Sequence, residues 1–492
     1  MNISKYFKTG FRFRLLPVAA LLMLFACSDF LDVDEQTRIS NDQLFSTVKG
    51  NAEALSGAYY MLGDANYYGR NMMVVPDIKG GNLKMHNVNS ANPMSAYFMP
   101  SYEFNHSEDP ENDYTDNMYR QIYEVIMGVN NIIEYAPEIE NATEDEINQI
   151  LAEAKAIRAL AHFDLTRWFA RPYNYSSNAQ HPGVAFIDRV LGYNEHFGRD
   201  PLYRNYNRIL DDLKFAEEHI GTSLAQHYAS GAMNYYSSAY FSKRSVQAMM
   251  ARVYLYMEDW SSAREYASEV ISAGGTSLQP HETFVERFVS NDPSGEDLLI
   301  INNEGRSSGA PLASIMGTRS GRTTNYMEIS NDLLSLFGED DRRLDYYIHE
   351  HNAMVSRKYP EYDGNKDRFI PVIRLAEMYL IRAEASVNLP NPDEVQARAD
   401  LNTIRRRANP DAPGVNLTGE ALRDEIFLER RRELALEGHL FFDIARQGRD
   451  VRRDDVNATM NRNLDYGDYR YVLPIPQRAV SLNNQMTQND GY

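Results

Sequence analysis

Apolar residues recur along most of this chain at intervals of three and four. Ile122, Ile126, Val129 and Ile133 follow gaps of 4, 3 and 4. Ile150, Ala154, Ile157, Ala161, Leu165 and Trp168 form a longer stripe of the same kind, and Val372, Ala376, Tyr379 and Ala383 another. Such spacing places one apolar stripe on a helix of 3.6 residues per turn. Further helices are predicted over 41–62, 203–220, 243–257, 260–273, 393–408 and 420–437. Thr143 with Glu146 three positions on reads as a capping box opening the second stripe. Alternating patterns are scarce; Asp297–Ile301 and Tyr471–Leu473 are the short extended candidates. The expected fold is all-α.

Residues 243–273 read as a tetratricopeptide-like helix pair. Ala251 and Tyr254 take the small and aromatic positions of its first helix, and Ala263 follows nine residues later in the second. Ala376–Tyr379 repeats the small-x-x-Tyr element, and Ala159–His162 is a looser version. Helix pairs of this kind bury a core only by stacking on one another. Between them lie loop-rich inserts at about 63–114, 171–202, 302–330 and 448–470. Inserts this long in a helical scaffold point to function.

Composition narrows the function. The chain has 492 residues, 50 Lys+Arg against 69 Asp+Glu, and a net charge of −19, which disfavours a nucleic-acid partner. One cysteine excludes an intramolecular disulfide and multi-thiolate metal sites. That cysteine, Cys27, closes a segment that reads as a targeting signal. Lys5, Lys8, Arg12 and Arg14 form a basic start, and Leu15–Ala26 is an apolar run too short to span a bilayer. Leu24-Phe25-Ala26-Cys27-Ser28 resembles a bacterial lipobox, in which the cysteine is lipidated and begins the mature chain. Loss of residues 1–26 takes the charge to about −23. Asp29, Asp32, Asp34 and Glu35 then crowd the new start and resemble an acidic surface-export tract.

Signals for chemistry are weak. There is no H-E-x-x-H, no Gly-rich phosphate loop before a helix and no G-x-S-x-G. His349-Glu350-His351 has the wrong spacing for two ligands on one helix face. No oxygen-ligand spacing suggests Ca²⁺. His162 and His439 read as packing or hydrogen-bonded residues, and Trp168 and Trp260 as helix residues. Arg374 with Glu377, and Glu429, Arg432, Glu433 and Glu437, read as an arginine–carboxylate lattice tying helices together.

Several segments taken in order resemble the SusD/RagB family of nutrient-binding outer-membrane lipoproteins. They are Cys27–Asp32, Ala152–Ala159 with Trp168-Phe169, Arg374–Ala385, Glu429–Leu434 with Glu437-Gly438 and Asp443, and Leu473–Pro476 with the tail to Tyr492. Asn484 and Asp490 depart from the family pattern by standing where proline is common. The resemblance implies a SusD-like fold with about four tetratricopeptide-like helix pairs and a loop-rich ligand side. It also implies a signal peptide over 1–26, an N-terminal region over 27–240 and a C-terminal region over 241–492, the two forming one unit. The implied activity is non-enzymatic capture of oligosaccharides, without cofactor or metal, and their delivery to a SusC-like TonB-dependent transporter. The implied location is the outer-membrane exterior, through a lipid on Cys27.

Sugars need aromatic faces and paired polar groups. With 2 tryptophans assigned to helices and 33 tyrosines in the chain, tyrosine is the expected platform. The candidate contacts are Tyr67, Tyr68, Arg70, Asp77, Asn82, Tyr97 and Tyr102 from the first insert and Arg322, Asn325 and Tyr326 from the third. A peptide-binding relative, a surface glycoside hydrolase or lyase, and a scaffolding repeat protein are the alternatives.

Overall fold

Thr143 opens the longest helical stripe as its spacing predicts. Its side chain accepts from the Glu146 amide, and the Glu146 carboxylate accepts from the Thr143 amide at 2.9 Å. The helix then runs unbroken over Glu144–Phe169, burying Ile150, Ala154, Ile157, Ala161, Leu165 and Trp168. The computed structural model describes residues 41–86, 93–107, 114–229, 236–290, 292–303, 312–318, 326–350, 352–361, 369–456 and 461–492. Cys27, the signal segment, the acidic tract, Arg322 and Asn325 lie outside the described residues.

The principal helices are α1 (Val48–Leu62), α2 (Asn71–Gly80), α3 (Pro93–Tyr102), α4 (Tyr114–Tyr135), α5 (Glu144–Phe169), α6 (Leu202–His219) and α7 (Lys243–Met257). They continue with α8 (Trp260–Ser272), α9 (Leu375–Asn388), α10 (Glu394–Ala408), α11 (Gly419–Glu433), α12 (Leu440–Arg446) and α13 (Gln477–Leu482). From α4 to α10 each helix packs on the next, and α11 packs on α9. Ala251 and Ala263 are fully buried where α7 meets α8, and Tyr254 stacks on Tyr266 at 5.6 Å. The small residues allow close approach and the paired rings fill the flank. Phe45–Tyr492 form one compact unit; of the other unit, Met1–Leu44, the described residues begin a short helical turn, Asn41–Phe45.

Strands are few and short. β1 (Leu83–Met85) pairs antiparallel with β3 (Met327–Ile329), β2 (Asp297–Asn302) with β6 (Phe369–Arg374), and β4 (Tyr347–Glu350) with β5 (Ala353–Ser356). The fold is mainly helical, as expected. No helix among the described residues is long and apolar enough to cross a membrane.

Four local expectations are corrected. Val372 lies in β6, not on α9; its gap of four to Ala376 straddles a strand–helix junction. The 41–62 stretch breaks before α1, where the Thr47 side chain caps the Gly50 amide at 3.0 Å. The helix expected over 420–437 stops at Glu433, and the chain turns through left-handed Leu436 and Gly438. Tyr471–Leu473 follows a 3₁₀ turn rather than forming a strand, and the Leu473 amide donates to the Trp168 carbonyl at 2.9 Å.

Candidate functional site

The arginine–carboxylate segments form a buried lattice. Arg374 donates Nε to Glu437 at 2.7 Å and Nη1 to Glu296 at 2.6 Å and Glu433 at 3.1 Å. Arg407 reaches Glu296 at 2.9 Å and also Glu433. Arg343 joins Glu429 at 2.7 Å, and Lys358 joins Glu437 at 2.7 Å. The lattice therefore ties α10, α11 and strands β2 and β6 into one block. Arg374 and Glu377 do not pair with each other as their spacing suggested; Glu377 faces Arg252 of α7 at 2.5 Å.

The electrostatics of this block fit a structural role. Burial alone would raise the Glu437 carboxyl, but the Arg374 guanidinium and the Lys358 ammonium outweigh it and hold it down to about 2. Glu433 is driven the same way by Arg407, Arg374 and Arg343, again against burial. Both carboxylates are ionised at neutral pH, so neither holds a proton for a general acid to donate. His162 is locked between the Arg158 carbonyl at 3.0 Å and the Ile187 amide at 3.1 Å. His439 is buried, and burial pulls it down to about 4.

The first insert is not the open loop its composition suggested: it carries α2 and α3. As a result Tyr67, Tyr68, Asp77, Asn82 and Tyr102 are enclosed, which corrects the expectation that they present surface to a ligand. Tyr67 donates to Asp164 at 2.7 Å. Asp77 accepts from the Asn82 side chain at 2.7 Å and from the Leu436 and Gly438 amides at 3.0 and 3.2 Å. Burial pushes Asp77 up to about 6 despite these donors. Through the Leu436 and Gly438 amides, Asp77 holds α2 against the turn after α11.

Arg70 and Tyr97 meet differently. The Arg70 guanidinium lies 4.1 Å from the centre of the Tyr97 ring and also donates to its hydroxyl. Its Nε donates to Asn71 at 3.1 Å. Arg70 is buried while Tyr97 is half-buried, its ring set against the Arg70 cation and beside Phe98 and Tyr114.

Pairing of β1 with β3 brings the first and third inserts together. The His86 amide, at the end of β1, donates to the carbonyl of half-buried Tyr326 at 3.2 Å. Asp455 joins Lys84 at 2.9 Å and the Asn331 amide at 2.5 Å, which adds the fourth insert. Asn461 donates to the Glu103 carbonyl at 2.8 Å, tying that insert to the segment after α3. Described residues bordering three of the inserts thus share one face.

The second insert contributes elsewhere. A groove of about 850 Å³ runs between α4, this insert and α13, lined by Tyr119, Tyr123, Phe197, Met127, Leu482 and Met486 among others. The reading of the sequence missed it. Tyr119 and Tyr123 stand four apart on one face of α4, which is the signal that could have found it.

Two family models match the chain: one described as "SusD family" over residues 279–492, and one described as "Starch-binding associating with outer membrane" over 29–255. SusD-like protein P2 of Formosa agariphila is 24% identical over 540 residues, covering 98% of this chain and 100% of that protein. Starch-binding protein SusD of Bacteroides thetaiotaomicron is 34% identical over 138 residues, 27% of this chain and 22% of that protein. The crystal structure of a SusD superfamily protein from Bacteroides vulgatus superposes with a TM-score of 0.78 at 25% identity, covering 91% of this chain and 99% of that one. One from Bacteroides thetaiotaomicron gives 0.78 at 24%, with 90% and 99% covered. The two matched regions follow one another along the chain, SusD-like protein P2 aligns end to end, and the fold is shared: the chain belongs to the SusD-like family.

Proposed function

We propose that this protein captures oligosaccharides at the outer-membrane surface, without altering them chemically, and passes them to a SusC-like TonB-dependent transporter. Family membership supports carbohydrate binding, since one matched model is described as starch-binding and one relative is a starch-binding protein. The single observation that carries the reading is the half-buried Tyr97 ring fixed over Arg70, on a chain segment that borders the shared insert face. A sugar's C–H face stacks on such a ring while neighbouring donors meet its hydroxyls. Tyr326, whose carbonyl meets the His86 amide beside β1, is a second candidate contact in this reading. Asn71, bonded to the Tyr97 hydroxyl at 3.2 Å, braces that ring from within.

Calorimetry against a panel of maltooligosaccharides tests this. Wild-type protein is expected to bind at least one member, and Tyr97→Ala to weaken that binding about tenfold, the loss of one stacking contact. Phe197→Ala in the α4 groove is expected to leave affinity unchanged. Loss of binding in the Phe197 variant but not the Tyr97 variant would move the site to the groove, and no binding to any oligosaccharide would end the reading.

Attachment follows the same proposal: Cys27 carries the lipid, and more than one acyl chain gives a stable anchor. Cells expressing the chain and fed a clickable palmitate analogue are expected to label it and retain it in the membrane fraction. A Cys27→Ser variant is expected to lose the label. An equally labelled variant would remove Cys27 as the attachment point.

A further inference from the structure

Several buried arginines of this protein are held by carboxylates. Arg343, Arg374 and Arg446 each reach one at 2.7 Å or less. In the run Glu429–Glu433, Arg430 pairs with Asp443 at 3.2 Å, and Arg432 with Glu429 at 2.5 Å and Glu425 at 3.1 Å. Arg431, between them and half-buried, differs. Its Nε donates to Asn82 at 2.9 Å and its Nη2 approaches the Gly81 carbonyl at 3.5 Å. Among the described residues it has no carboxylate at ion-pair distance. Burial lowers its pKa below the ordinary arginine value, only partly offset by the more distant Asp332 and Asp77.

Arg431 lines a cavity of about 430 Å³ together with Arg449, Arg452, Asp450, Phe427 and Leu440. The other two guanidiniums are held by neighbouring side chains, Phe427 and Asp450 of the lining among them. Arg449 lies 4.3 Å from the centre of the Phe427 ring and holds Asp424 at 2.6 Å. Arg452 is clamped by Asp450 at 2.6 Å and Asp465 at 2.8 Å. Of these three arginines, Arg431 is the one without a carboxylate at ion-pair distance. A desolvated guanidinium offers a rigid fork of N–H donors that matches the oxygens of a carboxylate or sulfate. A chain of net charge −19 repels anions at long range, so an anion is held only where a local cation is unpaired. The cavity also adjoins the insert face. Asn82, the partner of Arg431, precedes β1, and His86 at the far end of that strand is about 13 Å of extended chain away.

We propose that this cavity is a subsite for the anionic group of an acidic saccharide, a uronate carboxylate or a sulfate ester, with Arg431 as its charge partner and Arg449 and Arg452 at its rim. The inference rests on the saccharide-capture reading and names the ligand class within it.

Titration calorimetry of the full chain with trigalacturonate, a sulfated galactose disaccharide, maltotriose and sodium sulfate separates the possibilities. At least one acidic saccharide is expected to bind. Its Kd is expected to rise about tenfold or more in Arg431→Gln, as for loss of one charge-assisted contact, and with added salt. Maltotriose binding is expected to be the same in both proteins. Arg449→Gln, at a one-third exposed side chain, keeps the test open if the first variant folds poorly, with a several-fold rise expected. Unchanged affinity for acidic saccharides in either folded variant overturns the proposal. So does binding of maltotriose with neither acidic saccharide, which leaves the capture reading standing. Binding of sodium sulfate alone assigns the cavity to a free anion and overturns the saccharide assignment. Failure of every saccharide, neutral and acidic, overturns the capture reading and the subsite with it.

Discussion

Replacing Arg374 by alanine is expected to destabilise the protein by roughly 3–5 kcal/mol, the range for removing one partner of a buried ion pair. Arg374 is buried and bonded at once to Glu296, Glu433 and Glu437, and its loss leaves three buried carboxylates short of a donor. Lys358 still pairs with Glu437, and Arg407 with Glu296 and Glu433, so each carboxylate keeps one cation but loses the one that joins all three. The effect depends on pH with a definite sign. Glu433 and Glu437 have folded pKa values below their unfolded ones, so they contribute stability above about pH 4.5 that is lost as the pH falls towards 2. In the variant these carboxylates are desolvated with less cationic support, and protonation relieves them. The difference between variant and wild type is therefore expected to be greatest near pH 7 and to shrink towards pH 3. Urea unfolding at a series of pH values measures both. A loss below about 1 kcal/mol at pH 7, where exposed ion pairs fall, would show that the lattice is not what holds α10, α11, β2 and β6 together.

Gly438→Ala is expected to cost a comparable roughly 3 kcal/mol or more, by a steric mechanism. Gly438 has a φ of 76°, a left-handed conformation that alone costs an L-residue about 1–2 kcal/mol. An added Cβ would also overlap the carbonyl oxygen of Met72 in α2, which cannot rotate aside. Any shift that relieves the overlap breaks the bond from the Gly438 amide to Asp77. Gly419→Ala is the matched control: its φ is 58°, and an added Cβ there meets open space. The control is expected to lose only about 1–2 kcal/mol. Thermal melts of both variants compare conformation alone with conformation plus overlap. Equal destabilisation would rule out the close approach of α2 to the Glu437-Gly438 turn.

The helical body was legible in the sequence because its signal is local. A stripe at gaps of three and four has one face to bury whatever lies opposite, so α4, α5 and the α7–α8 pair follow from spacing, and Thr143 from its cap. The ion-pair lattice was legible in kind but not in pairing. Arg374 and Glu377 are neighbours in sequence, yet each answers to a partner more than 50 positions away. The candidate ligand residues were the least legible. Tyr67 and Tyr97 lie in the same polar, glycine- and asparagine-containing insert, and nothing in their local context separates them. One is sealed against Asp164, and the other is only half-buried beside Arg70.

By itself, then, the sequence determined the helix array, the small and aromatic residues that let its pairs stack, and the likeness to a family. Only the tertiary structure decided that α2 and α3 lie within the first insert, that Asp77 receives amides 359 and 361 positions away, and that Arg431 is left facing a cavity. Periodicity records which face of a segment avoids water. Which polar side chain finds a partner, and which is left for a ligand, depends on segments that meet only once the chain has folded.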